Sequence, residues 1–258
     1  MRVAIFAGGL GTRLREETQF RPKPMVPIGE QPMLWHICKL YAHYGHQDFV
    51  VMCGYLGHVI RDYFLGYHHQ RSKAITVDLA RSGSVEVHDP APEPWRVTLV
   101  DTGAETMTGG RLLRSRSFLE QGTFLATYGD GVADVDVNAL VAFHKATGRV
   151  ATVTAVRPSS RFGELELDGD LVTNFHEKPQ TGTGWINGGF FAFEPRIFEY
   201  LSGDRTVLEQ EPLERLAADR QLAVYRHHGY WRCVDTARDL TTLNDDWRSP
   251  KPPWKVWA

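Results

Sequence analysis

A glycine-rich segment near the start of the chain, AGGLGTR at residues 7–13, is suited to binding phosphate. It follows a short apolar run, so we expect a tight turn at the end of a buried strand. Glycines bring bare backbone N–H groups close to a ligand, and Arg13 adds a planar cation that matches phosphate oxygens. The spacing is neither GxGxxG nor GxxxxGK with Ser or Thr, which disfavours a dinucleotide site and a Walker loop. On these residues alone, a purely structural glycine turn remains open.

A lysine between two prolines follows shortly afterwards, in the segment RPKPMVPIG at residues 21–29. Pro22 and Pro24 restrict the backbone on either side of Lys23, so the lysine has less freedom to lose when a ligand arrives. An ordered lysine close to a phosphate loop is suited to neutralising a polyphosphate. A solvated lysine in a proline turn would be the preferred interpretation if this segment stood alone.

Two aspartates predict a metal site. Asp130 lies in TYGDG at the end of the apolar run FLATY, and Asp235 lies in VDTARDL after the strand-like YWRCV. A carboxylate at the end of a strand can approach a hard cation, and flanking glycines leave room for substrate oxygens. Two aspartates and substrate phosphates can complete the octahedral shell of Mg²⁺. For Asp130 in isolation, an ordinary Asp-Gly turn remains the alternative.

A second group of polar residues lies in FHEKP at residues 175–179 and WINGGFF at residues 185–191. Lys178 precedes a proline and so repeats the restrained-lysine arrangement. Glu177 and Asn187 offer a carboxylate and an amide, which suit sugar hydroxyls, and Gly188 keeps that wall close to a ligand. The alternatives are a turn role for Asn187 and an ion-pair role for Glu177.

The first two thirds of the chain alternate short apolar runs with amphipathic segments, and this pattern predicts how these groups are positioned. Apolar residues at helical spacing, with a proline before and a glycine after, predict a helix at residues 32–44. Further helices are expected at residues 56–64, 111–119 and 137–146, and strands at residues 2–6, 48–53, 74–79, 96–100, 124–128 and 150–156. Such alternation predicts an α/β fold with a mainly parallel sheet, helices on both faces and ligands at the carboxyl ends of strands.

The last third of the chain has a different pattern. Residues 163–175 alternate like a hairpin that turns at Asp168-Gly169-Asp170, which predicts a small β-rich portion. Strands are expected at residues 188–193 and 224–230, and helices at residues 196–201, 212–219 and 240–247. The proline-rich stretch at residues 88–94 is expected to be a surface loop. One continuous α/β unit is the simplest interpretation.

Composition narrows the class of protein. The 258 residues suffice for one large α/β domain, and 42% hydrophobic with 23% charged content is ordinary for a soluble globular protein. The formal net charge of −2, without a long basic run, predicts no nucleic-acid partner. Cys38, Cys53 and Cys233 are far apart and lack disulfide or zinc spacing. With no signal-peptide pattern and no bilayer-length apolar run, we expect a cytoplasmic protein without a membrane partner.

The motifs, taken in this order, resemble the sugar nucleotidylyltransferases over nearly the whole chain. Within that family, the sequence is similar to the branch that makes CDP-glucose from CTP and glucose 1-phosphate. One distinguishing segment is RLREET at residues 13–18, where the thymidylyl and uridylyl branches carry a proline-leucine-threonine. The other matching segments are KPMV, MLWH, EPW, VTLVDTG, MTGGR, YGDGVAD, RFGEL, INGGFF, EQEPL and PWKVW.

The resemblance implies a Rossmann-like fold in one nucleotidyltransferase domain, with the nucleotide bound by about residues 1–130 and the sugar phosphate by about residues 131–258. It also implies CTP and glucose 1-phosphate as substrates, Mg²⁺ as cofactor and a homo-oligomeric assembly. The implied nucleotide-binding residues are Ala7, Gly8, Gly9, Gly11, Thr12, Arg13, Lys23, Thr106, Arg111 and Gly129. The implied sugar-phosphate residues are Glu177, Lys178, Asn187 and Gly188, the metal ligands Asp130 and Asp235, and the catalytic residues Arg13, Lys23, Asp130, Lys178 and Asp235.

The implied chemistry needs no general base, because a sugar 1-phosphate oxygen is already anionic at neutral pH. Cations must instead screen the repulsion between two polyanions and align them. UTP or dTTP, another hexose phosphate and a non-catalytic binding protein remain as alternatives. Two features depart from the branch: Pro27 stands where a glutamate is usual, and residues 67–94 are rich in histidine and proline. We expect the loss of the glutamate to alter local packing or the lysine loop, and the segment at residues 67–94 to alter an oligomer contact or a lid.

Overall fold

The computed structural model describes residues 1–81, 83–89, 93–158, 164–168, 171–176 and 184–258. The strands in this part of the chain are β1 (Arg2–Ala7), β2 (Pro27–Ile28), β3 (Gln31–Pro32), β4 (Asp48–Cys53), β5 (Ile75–Asp78), β6 (Ser84–Val87), β7 (Arg96–Asp101), β8 (Phe124–Tyr128), β9 (Gly131–Ala133), β10 (Ala151–Val156), β11 (Glu164–Asp168), β12 (Leu171–His176), β13 (Ile186–Phe193), β14 (Leu222–Arg226) and β15 (Trp231–Cys233). The α-helices are α1 (Arg15–Thr18), α2 (Met33–His43), α3 (Gly57–Leu65), α4 (Tyr67–Arg71), α5 (Thr108–Arg114), α6 (Arg116–Leu119), α7 (Val137–Thr147), α8 (Glu211–Ala218) and α9 (Ala237–Arg248). Short 3-10 helices lie at Thr12–Leu14, Lys23–Met25, Leu79–Arg81 and Pro195–Tyr200.

Within the described residues, seven strands form the central sheet in the order β14-β10-β13-β8-β1-β4-β7. Neighbouring strands run parallel except at β13, which is antiparallel to both β8 and β10. The predicted mainly parallel sheet is confirmed. Its carboxyl-terminal edge carries the glycine segment after β1 and the TYGDG turn at the end of β8.

Both faces of the sheet are covered because side chains of a strand alternate between the two faces. Val3 and Ile5 of β1 enter a core that includes side chains of α2, α7 and α9. Ala4 and Phe6 enter the opposite core, with side chains of α5, α6 and α8. Helices on both faces complete the predicted α/β fold class. Among the described residues, no helix combines the length and apolar character that crossing a membrane requires.

Small antiparallel pairs supplement this sheet: β2–β3, β5–β6, β9–β15 and β11–β12. The predicted hairpin at residues 163–175 corresponds to β11–β12, and residues 169–170 of its turn lie outside the described residues. Among the described residues, the strand expected at residues 74–79 pairs only with β6, so it belongs to a hairpin and not to the central sheet.

Three expected elements differ in detail. The helix expected at residues 196–201 is the 3-10 helix Pro195–Tyr200. The single helix predicted at residues 111–119 is two helices, α5 and α6, because the backbone of Ser115 leaves helical geometry (φ −96°, ψ 7°). The strand predicted at residues 224–230 is β14, which ends at Arg226, before the separate strand β15 begins. This last change follows from strand pairing, because β14 pairs with β10 whereas β15 pairs with β9.

Candidate active site

A cleft of about 660 Å³ opens at the carboxyl ends of β1 and β8. It gathers residues from both halves of the chain. The sequence-predicted residues that line it are Ala7, Gly8, Gly9, Gly11, Thr12, Arg13, Lys23, Thr106, Arg111, Gly129, Asp130, Asn187, Gly188 and Asp235. The other two, Glu177 and Lys178, lie outside the described residues. The grouping supports one shared site, and the individual roles remain predictions.

The glycine segment turns sharply at Gly11, which has a left-handed backbone (φ +62°) and precedes the 3-10 helix Thr12–Leu14. A Cβ at this position would lie 2.7 Å from the Thr18 side chain, too close for another residue without a shift. The Thr18 hydroxyl donates to the carbonyl of Leu14 (2.9 Å), which holds the turn against α1. The sequence prediction of a tight turn after a buried strand is confirmed.

Arg111 lies beneath this segment and is almost fully buried. Its guanidinium donates to the carbonyl oxygens of Gly8 (2.8 Å) and Gly103 (2.8 Å) and to the hydroxyl of Thr102 (2.6 Å). Longer hydrogen bonds reach the carbonyls of residues 53 and 104. These acceptors are all neutral. Burial lowers the pKa of Arg111, and the nearby Asp101 carboxylate acts in the opposite direction. The loop therefore rests on a positive charge, which favours an anion in the cleft.

Four side chains form what we call the charged wall: Arg13, Lys23, Asp130 and Asp235. The Lys23 Nζ lies 2.8 Å from Asp130 Oδ2 and 2.7 Å from Asp235 Oδ1. Arg13 Nη1 lies 2.6 Å from the other oxygen of Asp235. Burial lowers the pKa of Lys23, but its hydrogen bonds and ion pairs with both aspartates outweigh this effect and raise the pKa above its usual value. The lysine is therefore a permanent cation at neutral pH.

Local structure fixes Lys23 before any ligand arrives. It begins the 3-10 helix Lys23–Met25, preceded by Pro22 in extended conformation and followed directly by Pro24. The backbone N–H of Met25 donates to the carbonyl of Pro22 (2.8 Å), which closes the turn. The ammonium of a buried lysine on such a rigid segment has few alternative positions.

The pairing of β9 with β15 brings the two aspartates together across the chain. Gly131 lies opposite Cys233 in this short antiparallel pair, and the N–H of Val234 donates to the carbonyl of Asp130 (2.8 Å). Asp235 then precedes α9, which begins with a capping box between Thr236 and Asp239. The cap fixes the direction of the chain directly after the second carboxylate. The segment YWRCV, which contains β15, is strand-like in the sequence, but no strand was predicted at β9.

Asp130 and Asp235 have the chemistry that a hard divalent cation requires. Their oxygens converge on one ammonium group, so both can reach one cation site. No group of three or more His, Cys, Asp or Glu side chains with metal-binding geometry occurs among the described residues. Substrate phosphates and water would have to supply the other ligands, as is common for Mg²⁺.

The cysteine in the cleft does not supply a nucleophile. Burial and the nearby Asp235 and Asp130 carboxylates raise the pKa of Cys233 to about 11. Its thiol is therefore protonated at neutral pH, and a thiolate is the reactive form.

Another part of the cleft lining consists of Thr108, Tyr128, Asn187 and Glu209, which we call the hydrogen-bonded wall. Glu209 accepts from the hydroxyls of Thr108 (2.6 Å) and Tyr128 (2.5 Å). The Tyr128 oxygen lies 3.2 Å from Asn187 Nδ2, whose amide donates to it. Sequence reasoning identified only Asn187 of these four. The segment EQEPL around Glu209 contributed to the resemblance, but no motif signalled its position in the cleft.

The two glycines of WINGGFF allow β13 to pack closely against neighbouring side chains of this wall and of β10. Gly189 has φ +78°, and a Cβ there would lie 2.4 Å from the Tyr128 ring. Gly188 is equally confined, because a Cβ would lie 2.6 Å from the Val156 side chain. The indole N–H of Trp231, another lining residue that sequence reasoning missed, donates to the carbonyl of Gly188 (2.7 Å). Both glycines therefore allow close packing within the protein, and their approach to a ligand stays a prediction.

Relatives establish the context of this site. A sequence profile of the family described as "Nucleotidyl transferase" matches residues 2–249. The chain is 48% identical to a glucose-1-phosphate cytidylyltransferase of Salmonella typhi, over 258 residues and 100% of both sequences. It is 42% identical, again over 100% of both, to a probable glucose-1-phosphate cytidylyltransferase of Bacillus subtilis strain 168. These full-length similarities confirm the resemblance that the motifs indicate.

Solved structures share the fold at lower sequence identity. HddC from Yersinia pseudotuberculosis has a TM-score of 0.68 at 22% identity, covering 96% of this chain and 99% of that chain. A putative glucose-1-phosphate thymidylyltransferase from Bacillus anthracis has a TM-score of 0.68 at 17% identity, covering 97% of this chain and 96% of that chain. Such similarity establishes the fold, and the Rossmann-like α/β class is confirmed.

Proposed function

This chain belongs to the nucleotidyl transferase family, and we propose that it transfers CMP from CTP to α-D-glucose 1-phosphate, yielding CDP-glucose and pyrophosphate. The observation that carries the proposal is the convergence of Arg13, Lys23, Asp130 and Asp235 in one cleft with the glycine segment. The substrate pair is supported by the full-length relatives named as glucose-1-phosphate cytidylyltransferases.

In this reaction a phosphate oxygen of the sugar 1-phosphate forms a bond to the α-phosphorus of CTP, and the bond from that phosphorus to the pyrophosphate oxygen breaks. The attacking oxygen is already anionic, so no residue needs to remove a proton. The cleft must neutralise two polyanions and hold them in line. Arg13 and Lys23, with the buried charge of Arg111 beneath the loop, supply cations within the described part of the cleft.

We assign Mg²⁺ as the cofactor, held by Asp130 and Asp235. When bound, it would neutralise charge on the triphosphate and on the leaving pyrophosphate. The two carboxylates otherwise place negative charge where anionic substrates must bind, which is unfavourable without a cation. Arg13 and Lys23 offset this charge and orient the carboxylates.

We assign the nucleotide to residues 1–130 and the sugar phosphate to residues 131–258 within one domain. The glycine segment, Lys23, Thr106, Arg111 and Gly129 line the nucleotide side of the cleft. Asn187 and Gly188 line the sugar side, and Glu177 and Lys178 complete it in the proposal. The position of the cleft between these two parts supports the division.

We also propose that the protein forms a homo-oligomer in the cytoplasm. The β5–β6 hairpin exposes apolar side chains, with Ile75, Val77 and Leu79 exposed by 44%, 47% and 84%. Such a surface favours burial against a second copy of the chain. The cysteines are free, which suits a reducing compartment. Light scattering on the purified protein tests the assembly, and a monomer would contradict it.

The decisive test is a pyrophosphate-release assay that crosses CTP, UTP, dTTP and GTP with several sugar 1-phosphates in the presence of Mg²⁺. We expect release with CTP and glucose 1-phosphate to exceed every other pair. Release with dTTP or UTP but not with CTP would retain the enzyme class and reject the nucleotide. No release with any pair would reject catalysis and leave a binding role.

A further inference from the structure

We propose that Glu209 and Tyr128 are positioning residues that fix the amide of Asn187, so that this side chain recognises a ring hydroxyl of the sugar phosphate. The proposal rests on the proposed function and deepens it, because it names what selects the sugar. Tyr128 lies in TYGDG and Glu209 in EQEPL, but the sequence assigned neither residue a role. Their contacts with each other and with Asn187 make the case.

The direction of each hydrogen bond is determined by the carboxylate. Glu209 can only accept, so the hydroxyl of Tyr128 donates to its Oε1 (2.5 Å) and that of Thr108 to its Oε2 (2.6 Å). The Thr108 oxygen in turn accepts from the backbone N–H of Leu208 (2.9 Å), which agrees with this direction. Because its proton points to Glu209, the Tyr128 oxygen is left as an acceptor.

This acceptor sets the orientation of Asn187. The amide Nδ2 donates to the Tyr128 oxygen (3.2 Å), while Oδ1 accepts from the backbone N–H of Gly189 (2.8 Å). If the amide were flipped, its nitrogen would face the Gly189 N–H, and two donors would oppose each other. Oxygen and nitrogen of Asn187 therefore have defined places.

The oriented amide has one N–H and one oxygen lone pair left, and Asn187 lines the cleft with its side chain exposed. A sugar hydroxyl both donates and accepts, so it can satisfy both groups, whereas a phosphate oxygen at neutral pH mainly accepts. The nearby carboxylate of Glu209 also disfavours phosphate on this wall. The wall is thus suited to the sugar ring, and the charged wall to the phosphates.

We call the chain of hydrogen bonds from Glu209 through Tyr128 to Asn187 the relay. The relay is rigid because the ring of Tyr128 is packed between other side chains. Its centroid lies 5.6 Å from that of Phe6 and 5.7 Å from that of Phe191, and Gly189 allows the backbone of β13 to press against it. Burial and Glu209 raise the pKa of Tyr128, so its hydroxyl keeps the proton that the relay requires. A fixed hydroxyl transmits the direction of the carboxylate to Asn187.

The test compares Glu209→Gln and Tyr128→Phe with the control Glu214→Gln, an exposed carboxylate on α8. A glutamine offers one acceptor where two hydroxyl donors converge, so one donor loses its partner and the amide loses its fixed orientation. We expect both relay variants to raise KM for glucose 1-phosphate about tenfold, with KM for CTP unchanged. The control should match the wild type.

A series of monodeoxyglucose 1-phosphates identifies the hydroxyl. On the analogue that lacks the recognised hydroxyl, the wild type should lose about tenfold in kcat/KM, and Glu209→Gln should lose nothing further. A general structural defect would instead reduce activity by the same factor on every analogue. That result, or wild-type kinetics in both relay variants, overturns the proposal.

Failure of the proposed function gives a different result. If the wild type releases no pyrophosphate from any pair, binding of glucose 1-phosphate is measured by titration calorimetry in the wild type and the same variants. About tenfold weaker binding in both relay variants supports the relay without turnover, and equal binding rejects it. Circular dichroism and thermal midpoints verify folding, and Tyr128→Phe carries the test if Glu209→Gln unfolds.

Discussion

The two walls of the cleft solve different recognition problems with different interactions. The charged wall consists of ion pairs, in which Lys23 contacts two carboxylates at 2.7 and 2.8 Å. The hydrogen-bonded wall is a directed chain from Glu209 through Tyr128 to Asn187 without a cationic partner among the described residues. Charge acts over distance and depends little on angle, whereas a hydrogen bond weakens steeply when misaligned. The first arrangement suits phosphates and a metal, and the second suits distinct hydroxyls.

This difference orders the expected effects of substitutions. Loss of a charge where two polyanions react should reduce turnover most, because the transition state concentrates charge there. Loss of a directed neutral contact should change the choice of sugar by a smaller factor. Loss of the support beneath a wall should change substrate binding by no more than such a contact does and should have a larger effect on stability.

Replacing a metal-binding carboxylate should have the largest effect. Asp235→Asn keeps the shape but removes the charge that Arg13 and Lys23 now contact, and we expect kcat to fall about a thousandfold. Binding of Mn²⁺, followed by electron paramagnetic resonance, should weaken in parallel. Asp245→Asn, on the exposed part of α9, is the matched control. Unchanged Mn²⁺ binding in Asp235→Asn would remove this residue from the metal site.

Removing the ammonium group of Lys23 should separate the two functions proposed for the charged wall, metal binding and turnover. In Lys23→Met the two carboxylates lose the cation between them, so nucleotide-free protein should bind Mn²⁺ more tightly while kcat falls about a hundredfold. Lys145→Met on α7 serves as the control for loss of a lysine. Weaker Mn²⁺ binding in Lys23→Met would mean that the lysine chiefly holds the carboxylates in place.

Arg111 tests the support beneath the glycine segment. Lysine keeps the charge but cannot reach the carbonyls of Gly8 and Gly103 together with the Thr102 hydroxyl, so Arg111→Lys should raise KM for CTP about tenfold. Unsatisfied carbonyls should also lower the free energy of unfolding by about 1–3 kcal/mol. Arg114→Lys on the same helix changes an exposed ion pair with Asp204, so it should leave KM for CTP unchanged and lower the free energy of unfolding only slightly. An unchanged KM for CTP would limit Arg111 to a structural role.

The sequence predicts the charged wall better than the hydrogen-bonded wall. Lys23, Asp130 and Asp235 could be identified because each lies at a recognisable strand end or proline turn. Each also carries a charge that requires a counter-charge, such as a phosphate or a metal ion. Glu209 lies just before α8 without such a signal, and its role depends on Tyr128, which reads as the end of a buried strand. Hydrophobic periodicity predicts which residues are buried, but it does not predict which polar side chains form hydrogen bonds with each other.

Long-range pairing explains the remaining differences in the fold. β9 and β15 are three residues each, too short for a periodic pattern, yet they join the two aspartates. Helix α5 begins at Thr108 despite two following glycines, because Gly109 and Gly110 pack against the backbone at Thr206 and Asp204, where a Cβ would lie within 3 Å. The helix propensity of glycine argues against this start, and close packing overrides it.

The smallest effect on activity should come from the C-terminal support of the charged wall, where His36 links the β2–β3 hairpin to the tail. Its Nε2 donates to the carbonyl of Ile28 (3.0 Å), so its Nδ1 is left to accept from the indole N–H of Trp254 (3.5 Å). Trp247 packs on the imidazole with ring centroids 4.5 Å apart. Only a neutral imidazole satisfies both contacts, because in a protonated ring the Nδ1–H would face the indole N–H of Trp254, and both groups are donors. Burial lowers the pKa of His36 to about 4, against a raising effect of the hydrogen bond to Ile28.

Stability should therefore depend on pH through this residue. Between pH 6.5 and about 4, His36 binds a proton in the unfolded chain but not in the folded protein. The free energy of unfolding should therefore decrease by up to roughly 3 kcal/mol as the pH is lowered through this range. His36→Gln, which keeps a donor and an acceptor without titrating, should flatten this dependence in urea titrations at pH 7, 6, 5 and 4.5. Substitution of exposed His68 by glutamine should leave the slope intact. If His36→Gln retains the wild-type slope, the acid sensitivity lies with other buried histidines such as His46 and His144, whose pKa values burial also lowers.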